Sequence, residues 1–200
     1  AAYEASPWFG GIAGQPGETE SAAEVEALLH RTGLAGGGTF YFLYEAADAV
    51  LRMQNCKLEL SCVLRMLPDF YTQGSQLQRL NQLFKDQPID RSRLLLTIPA
   101  QLVAEGSKTL REGIERYLKN GIVLLLDGYR PELLPPEQAK AMGFTYLRLP
   151  PELNGKQETA NLMLNLREQG FTLIGGGADS HEMLDWLSAC GAAFMSGTLT

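Results

Sequence analysis

The chain has 200 residues, of which 45% are hydrophobic, and its formal net charge is −6. This length and apolar content predict one hydrophobic core and therefore one domain. The negative charge and the scattered Lys and Arg residues argue against a nucleic-acid-binding surface.

No apolar run in this segment is long enough to span a bilayer, and no signal-peptide pattern is present. The three cysteines, Cys56, Cys62 and Cys190, lack the C-x-x-C spacing of a metal or redox motif. Two histidines, His30 and His181, are too few for a histidine-rich metal centre. We therefore expect a cytoplasmic domain with reduced cysteines and without a nucleic-acid or membrane partner in this segment.

The first part of the chain is irregular. Residues 1–20 carry no clean periodicity and are predicted to be a lead-in or linker, so the domain is expected to cover residues 21–200. Ser21 and Glu24 form a capping box that predicts a helix over residues 21–31. The aromatic-rich residues 39–44 predict a strand, and residues 45–54 a helix after it.

From residue 56 onward, strand and helix patterns alternate regularly. The predicted strands cover residues 56–63, 94–98, 122–126 and 145–149, and the predicted helices cover residues 76–85, 107–120, 137–142 and 158–169. Repeated strand-then-helix units predict a parallel sheet, either closed as a barrel or open and doubly wound. Because neither a G-x-G-x-x-G nor a P-loop motif is present, we favour a TIM-barrel-like (β/α) barrel.

The last thirty or so residues indicate where a site would lie. Residues 171–199 predict a strand, a glycine turn, a helix capped by Asp179 or Ser180, and a final strand. In an α/β barrel the chemistry is located at the carboxyl ends of the strands. Here the strand ends in three glycines, and the first acid after them is Asp179.

Four segments carry a resemblance to a known family. Residues 94–100 read Leu-Leu-Leu-Thr-Ile-Pro-Ala. Residues 120–129 read Asn-Gly-Ile-Val-Leu-Leu-Leu-Asp-Gly-Tyr, residues 146–150 read Tyr-Leu-Arg-Leu-Pro, and residues 174–199 follow as described above. In order and spacing they resemble the EAL-domain phosphodiesterases, which hydrolyse cyclic di-GMP. The resemblance covers about residues 58–200 and implies a (β/α) barrel. Since the chain stops at the family's Gln-Gly turn, it also implies a domain truncated at its C-terminal end.

The resemblance implies that most metal ligands are lost. The family holds Mg²⁺ or Mn²⁺ with several carboxylates and an amide oxygen, as hard cations require. One acid of this set is kept, Asp127. The other family positions are matched by Ser61 for an Asn, Thr97 and Ala100 for two Glu, Gly128 for the second Asp, Arg148 for the catalytic Lys, Pro150 for an Asp, Gly176 and Asp179 for two Glu, and Ser196 for a Gln. One acid cannot hold two divalent ions, so we expect no metal cofactor and no catalytic residue.

The motif that names the family has two interpretations here. Glu26, Ala27, Leu28 and Leu29 match Glu-Ala-Leu-Leu, but His30 stands where the family has Arg. The same tetrapeptide is common in ordinary amphipathic helices, and its position after a capping box favours that interpretation.

Several candidate residues at the predicted barrel mouth keep two interpretations. Asp127 is a surviving metal ligand or a turn acid before Gly128. Arg148 is a phosphate contact or the ion-pair partner of Asp127. Asp179 and His181 resemble a metal pair, but a helix N-terminus explains them better. The candidate ligand-binding residues are Asp127, Arg148, Asp179, Ser196 and Glu26.

Three functions follow from this pattern. The favoured one is a catalytically inactive signalling domain that regulates by binding a protein partner, with a homodimer as one such assembly. The first alternative is a receptor that binds cyclic di-GMP without hydrolysing it. The second is residual metal-dependent hydrolysis, which would need Glu24 or Glu26 to refill the site.

Overall fold

Seven parallel strands, hydrogen-bonded in the order in which they occur in the chain, form the sheet in this computed structural model. The structure describes residues 2–5, 31–32, 35–58, 61–67 and 69–197. The strands are β1 (Ala2–Ala5), β2 (Ser61–Arg65), β3 (Leu94–Pro99), β4 (Val123–Asp127), β5 (Tyr146–Arg148), β6 (Thr172–Gly176) and β7 (Phe194–Ser196). The outer strands β1 and β7 have Cα atoms within 8 Å of each other, so the sheet curls round toward a barrel.

Helices connect the strands, as the alternating sequence pattern predicts. They are α1 (Ala35–Asn55), α2 (Asp69–Thr72), α3 (Gly74–Asp86), α4 (Ala100–Glu105), α5 (Lys108–Lys119), α6 (Pro136–Met142), α7 (Gln157–Glu168) and α8 (His181–Ala189). Two 3-10 turns lie at Arg91–Arg93 and Pro151–Leu153. No helix of the described residues is long and apolar enough to cross a membrane.

The alternation of side chains along the strands separates two apolar regions. The inner one contains Val63, Leu95, Leu125 and Ile174. The larger one contains the alternate residues of the strands, which point toward the helices, and the helix residues that pack against them. Because both faces of the sheet are covered, residues 94–98 of β3 are all buried. The inner region fills the barrel beneath the carboxyl ends of the strands.

Two aromatic residues fix the end of β3 from outside the barrel. The hydroxyl of Tyr71 in α2 donates to the carbonyl of Thr97, and the hydroxyl of Tyr117 in α5 donates to the carbonyl of Phe70, both at 2.9 Å. Burial raises the pKa of both phenols, so they remain protonated donors. The approach of α2 to α5 requires Gly113, because a Cβ there would lie 2.1 Å from the carbonyl oxygen of Tyr71.

The amino-terminal predictions need correction. Residues 39–44, predicted as a strand, belong to α1. The buried residues Thr39, Leu43, Ala47 and Val50 are spaced by three or four, so the helical period outweighs the β-propensity of the aromatic residues.

The predicted lead-in is also wrong at residues 2–5. They form β1, which pairs in parallel with β2. The helix predicted for residues 21–31 lies outside the described residues, apart from its last position.

Candidate ligand-binding site at the barrel mouth

Six side-chain positions form a ring at the carboxyl ends of six neighbouring strands. Side chains two residues apart on a strand point to the same face. Two residues before each of these positions lies a residue of the inner apolar region. Four of these residues are buried, Val63, Leu95, Leu125 and Ile174, and the other two, Tyr146 and Phe194, pack against them. The ring, which we call the mouth ring, consists of Arg65, Thr97, Asp127, Arg148, Gly176 and Ser196. These positions therefore face the barrel interior at its carboxyl end, where α/β barrels place their chemistry.

The central interaction of the mouth ring is a two-point ion pair. The Nε of Arg148 donates to Oδ1 of Asp127 at 2.7 Å, and its Nη2 donates to Oδ2 at 3.0 Å. The Arg148 side chain is 12% exposed and that of Asp127 is 32% exposed. Adjacent strands place the two residues directly opposite each other. Such a fork-to-carboxylate contact is the strongest geometry available to an Arg–Asp pair.

Neighbouring side chains occupy the space beside Gly176 in which a side chain would lie. A Cβ at this residue would lie 3.3 Å from Cγ of Pro151 and 3.6 Å from Cδ of Arg148. Asn154 then donates from Nδ2 to the carbonyl of Gly176 at 2.8 Å. The 3-10 turn of Pro151–Leu153 and the stem of Arg148 thus fill the space into which a longer side chain at residue 176 would extend.

Arg65 is a site residue that the sequence analysis missed. It ends β2 beside Thr97, whereas Ser61 begins β2 at the opposite end of the barrel. Matching Ser61 with a mouth residue was therefore wrong in register. The predicted strand of residues 56–63 began five residues too early and ended two residues too early, since β2 covers Ser61–Arg65.

The described residues do not fit a divalent metal. No group of three or more His, Cys, Asp or Glu side chains in the described part of the chain is placed to hold a metal ion. Both oxygens of Asp127 face the guanidinium of Arg148, and Arg65 adds a second cation to the mouth ring. Mg²⁺ and Mn²⁺ bind where anionic oxygen ligands converge, and two guanidinium groups oppose that.

The other predicted site residues are placed differently. Ser196 ends β7 opposite Gly176, and its carbonyl accepts from the N–H of Ala178 at 3.0 Å. Asp179 is exposed beyond the end of β6. Ser180 caps α8 by accepting from the N–H of Met183, so it is the cap that the sequence left open between two residues. Glu26 lies outside the described residues.

A cavity of about 400 Å³ opens above the mouth ring. Its lining includes Arg65, Thr97 and Asp127 together with two residues from the loops after β4 and β5, Arg130 and Glu152. Nη2 of Arg130 donates to Oε1 of Glu152 at 2.8 Å across the rim, where both side chains are exposed. This second pair leaves no signal in the sequence, because loop residues carry no periodic pattern.

A second cavity, of about 620 Å³, adjoins the first. The two share Pro99 and Gln101 in their lining. The second is bounded by α2, α4 and the start of α5, with Leu102 and Leu110 in its apolar part and Asp69 and Glu105 among its polar residues. It lies outside the mouth ring.

The fold and the site define a (β/α) barrel domain with a charged cavity at the carboxyl ends of its strands. The model of the EAL domain family matches residues 13–200, and the chain therefore belongs to the EAL domain family. The match begins inside the predicted lead-in. A comparison with curated proteins found no match.

Solved structures confirm the barrel fold. The FimX EAL domain from Pseudomonas aeruginosa bound to cyclic di-GMP has a TM-score of 0.82 and 14% identity, over 98% of this chain and 81% of that chain. The PaMucR phosphodiesterase in complex with cyclic di-GMP has a TM-score of 0.82 and 14% identity, over 98% and 82%. The FimX EAL domain of Xanthomonas citri in complex with cyclic di-GMP has a TM-score of 0.82 and 11% identity, over 99% and 80%.

Proposed function

We propose that this EAL domain is a non-hydrolytic regulatory module. The observation that carries the proposal is the two-point contact between Asp127 and Arg148, which occupies both oxygens of the one acid in the mouth ring. Metal-assisted hydrolysis of a phosphodiester needs cations to activate water and to stabilise the leaving oxygen. An arginine also cannot serve as a general base, since it stays protonated.

In the favoured form of this proposal, the domain regulates by binding a protein partner. The second cavity supports this form, because it combines the apolar Leu102 and Leu110 with the carboxylates of Asp69 and Glu105. Neither carboxylate forms an ion pair with another described residue. A partner segment with an apolar side chain and a basic residue would complement this surface.

The second candidate function is a receptor for cyclic di-GMP that does not hydrolyse it. The observation in its favour is the cavity above the mouth ring, which carries the side chains of Arg65 and Arg130. Guanidinium groups bind phosphates through paired, charge-assisted hydrogen bonds. The 400 Å³ cavity is within the size range of small-molecule sites. The three solved relatives named above contain cyclic di-GMP.

One experiment separates these forms. The domain is titrated calorimetrically with cyclic di-GMP, with and without Mg²⁺ or Mn²⁺, and the same samples are assayed for linear product, with the PaMucR EAL domain as the active control. Binding without product supports the receptor. Absence of binding at high micromolar ligand leaves the protein-binding module. Metal-dependent formation of linear product contradicts the proposal and supports residual hydrolysis, with Glu24 or Glu26 as the acids to test.

A further inference from the structure

The mouth cavity contains two arginine–carboxylate pairs that differ in accessibility. Arg148 uses two nitrogens on Asp127 and is 12% exposed. Arg130 makes one contact, from Nη2 to Oε1 of Glu152, and the two side chains are 39% and 65% exposed. The first pair is a fixed part of the barrel mouth. The second can exchange its partner, because the solvent screens it and hydrates both groups once they separate.

Arg130 is the better placed of the two to bind an anion. It lines the cavity, whereas Arg148 does not. Its guanidinium has no further hydrogen bond within the described part of the chain besides the one to Glu152. Four of its five N–H donors are therefore available to a ligand.

Glu152 stays at the cavity even when the pair is broken. It lies in the 3-10 turn of Pro151–Leu153, and Pro151 is the residue that a Cβ at Gly176 or Gly177 would meet at 3.3 or 3.1 Å. The neighbouring Asn154 is tied to the carbonyl of Gly176. The backbone of the turn is therefore fixed against β6, and the carboxylate of Glu152 remains close to any ligand in the cavity.

From this arrangement we infer that Glu152 is an intramolecular competitor for Arg130 and lowers the affinity of the mouth cavity for an anionic phosphodiester. The inference rests on the receptor function proposed above, with cyclic di-GMP as the ligand. A phosphate that enters the cavity displaces the Glu152 carboxylate from Arg130 and meets its negative charge. Glu152 thus raises the ligand concentration that binding requires. Arg130 is the residue that contacts the phosphate, whereas Arg148 keeps its ion pair with Asp127.

The test is a calorimetric titration of four proteins with cyclic di-GMP: wild type, Glu152→Gln, Arg130→Gln, and the double variant. Gln keeps the size of Glu and removes its charge. We expect Glu152→Gln to lower the Kd by about three- to ten-fold, as the loss of a competing surface charge allows. Arg130→Gln should raise the Kd above that of wild type, and most of the gain from Glu152→Gln should be absent in the double variant.

Glu132→Gln is the matched control, because Glu132 lies in the same loop as Arg130, is exposed and does not line the cavity. It makes the same change in net charge and should leave the Kd within about two-fold of wild type. The inference is overturned if Glu152→Gln binds no more tightly than wild type, or if its gain persists in full without Arg130. If neither wild type nor Glu152→Gln binds cyclic di-GMP, the receptor function fails together with the inference. If linear product forms, the non-hydrolytic function fails whatever the ratio of the Kd values.

Discussion

At the scale of single residues, the one acid of the mouth ring is neutralised by the neighbouring Arg148. Arg148 supplies a fixed positive charge to Asp127, and the two side chains share a partly buried position. A charge in such a place costs free energy unless it is paired and hydrogen-bonded. The pair therefore has a structural role that does not depend on any ligand.

Removing Asp127 should destabilise the domain more than removing the exposed carboxylate of the other pair. We expect Asp127→Ala to lower the free energy of unfolding by about 1.5–3 kcal/mol, the range for hydrogen bonds to a charged group. Glu152→Ala is the control and should cost less than about 1 kcal/mol, because its ion pair is exposed. Urea denaturation monitored by circular dichroism measures both, and equal effects would contradict the structural role of the Asp127–Arg148 pair.

The three cysteines, none of which forms a disulfide in the described part of the chain, should differ in reactivity. Cys56 is exposed, while Cys62 and Cys190 are buried. Burial also raises the pKa of the Cys190 thiol, which lowers the fraction of reactive thiolate at a given pH. Under native conditions near pH 8, iodoacetamide should therefore label Cys56 first. Peptide mass spectrometry over time measures the order, and labelling of Cys190 as fast as that of Cys56 would show that the α8–β7 turn opens.

At the scale of elements, one glycine decides how closely two helices approach. Gly113 in α5 lies against the carbonyl of Tyr71, at a distance that leaves no space for a Cβ. Tyr71 in turn holds the end of β3 through Thr97. A change at this helix contact should therefore reach the mouth of the barrel.

Two helical glycines make a matched test of this contact. An alanine in a helix is normally favoured over glycine by about 0.5–1 kcal/mol. Gly37→Ala in α1, where no atom of the described residues lies within 4 Å of the added Cβ, should be neutral or stabilising. Gly113→Ala should instead destabilise by about 1–3 kcal/mol, because the contact becomes overpacked. Thermal unfolding of both variants measures the difference; a stabilised Gly113→Ala variant would mean that α2 moves away at little cost.

The sequence predicted the elements of the carboxyl-terminal part better than those near its beginning. Buried parallel strands such as Val123–Asp127 read as aliphatic runs, and the helices between them as amphipathic patterns, so type and order followed directly. At residues 39–44 an aromatic run has high β-propensity, and only its helical spacing, visible over a longer window, indicates α1. Local propensity was outweighed by tertiary packing there.

Only part of the candidate site could be predicted from the sequence. Asp127 directly follows one predicted strand and Arg148 lies near the end of the next, so their contact was one of two interpretations available from the sequence. Arg65 required the correct end of β2. Arg130 and Glu152 come together only because two loops fold over the mouth, and their spacing in the chain carries no signal of it.

For the molecule as a whole, the proposed loss of metal ligands predicts that divalent cations do not change its stability. A ligand that binds only the native state must stabilise it. Because both carboxylate oxygens of Asp127 accept hydrogen bonds from the guanidinium of Arg148, we expect no rise in the melting temperature of the domain in millimolar Mg²⁺ or Mn²⁺. Differential scanning fluorimetry of the domain, with the PaMucR EAL domain alongside, measures this. A clear rise would show that acids outside the described residues complete a metal site.

The approach of β1 to β7 has a consequence for how the domain folds. Each hydrogen-bonded pair of the described strands joins neighbours along the chain, so the formation of these pairs closes shorter loops. The contact between Ala2–Ala5 and Phe194–Ser196 instead joins segments separated by almost the entire chain, and its sequence separation is the largest among the contacts of the described strands. Closing so long a loop costs more chain entropy, and contacts of this kind slow folding. We therefore expect the seam between the first and last strands to form late, after the central strands have assembled.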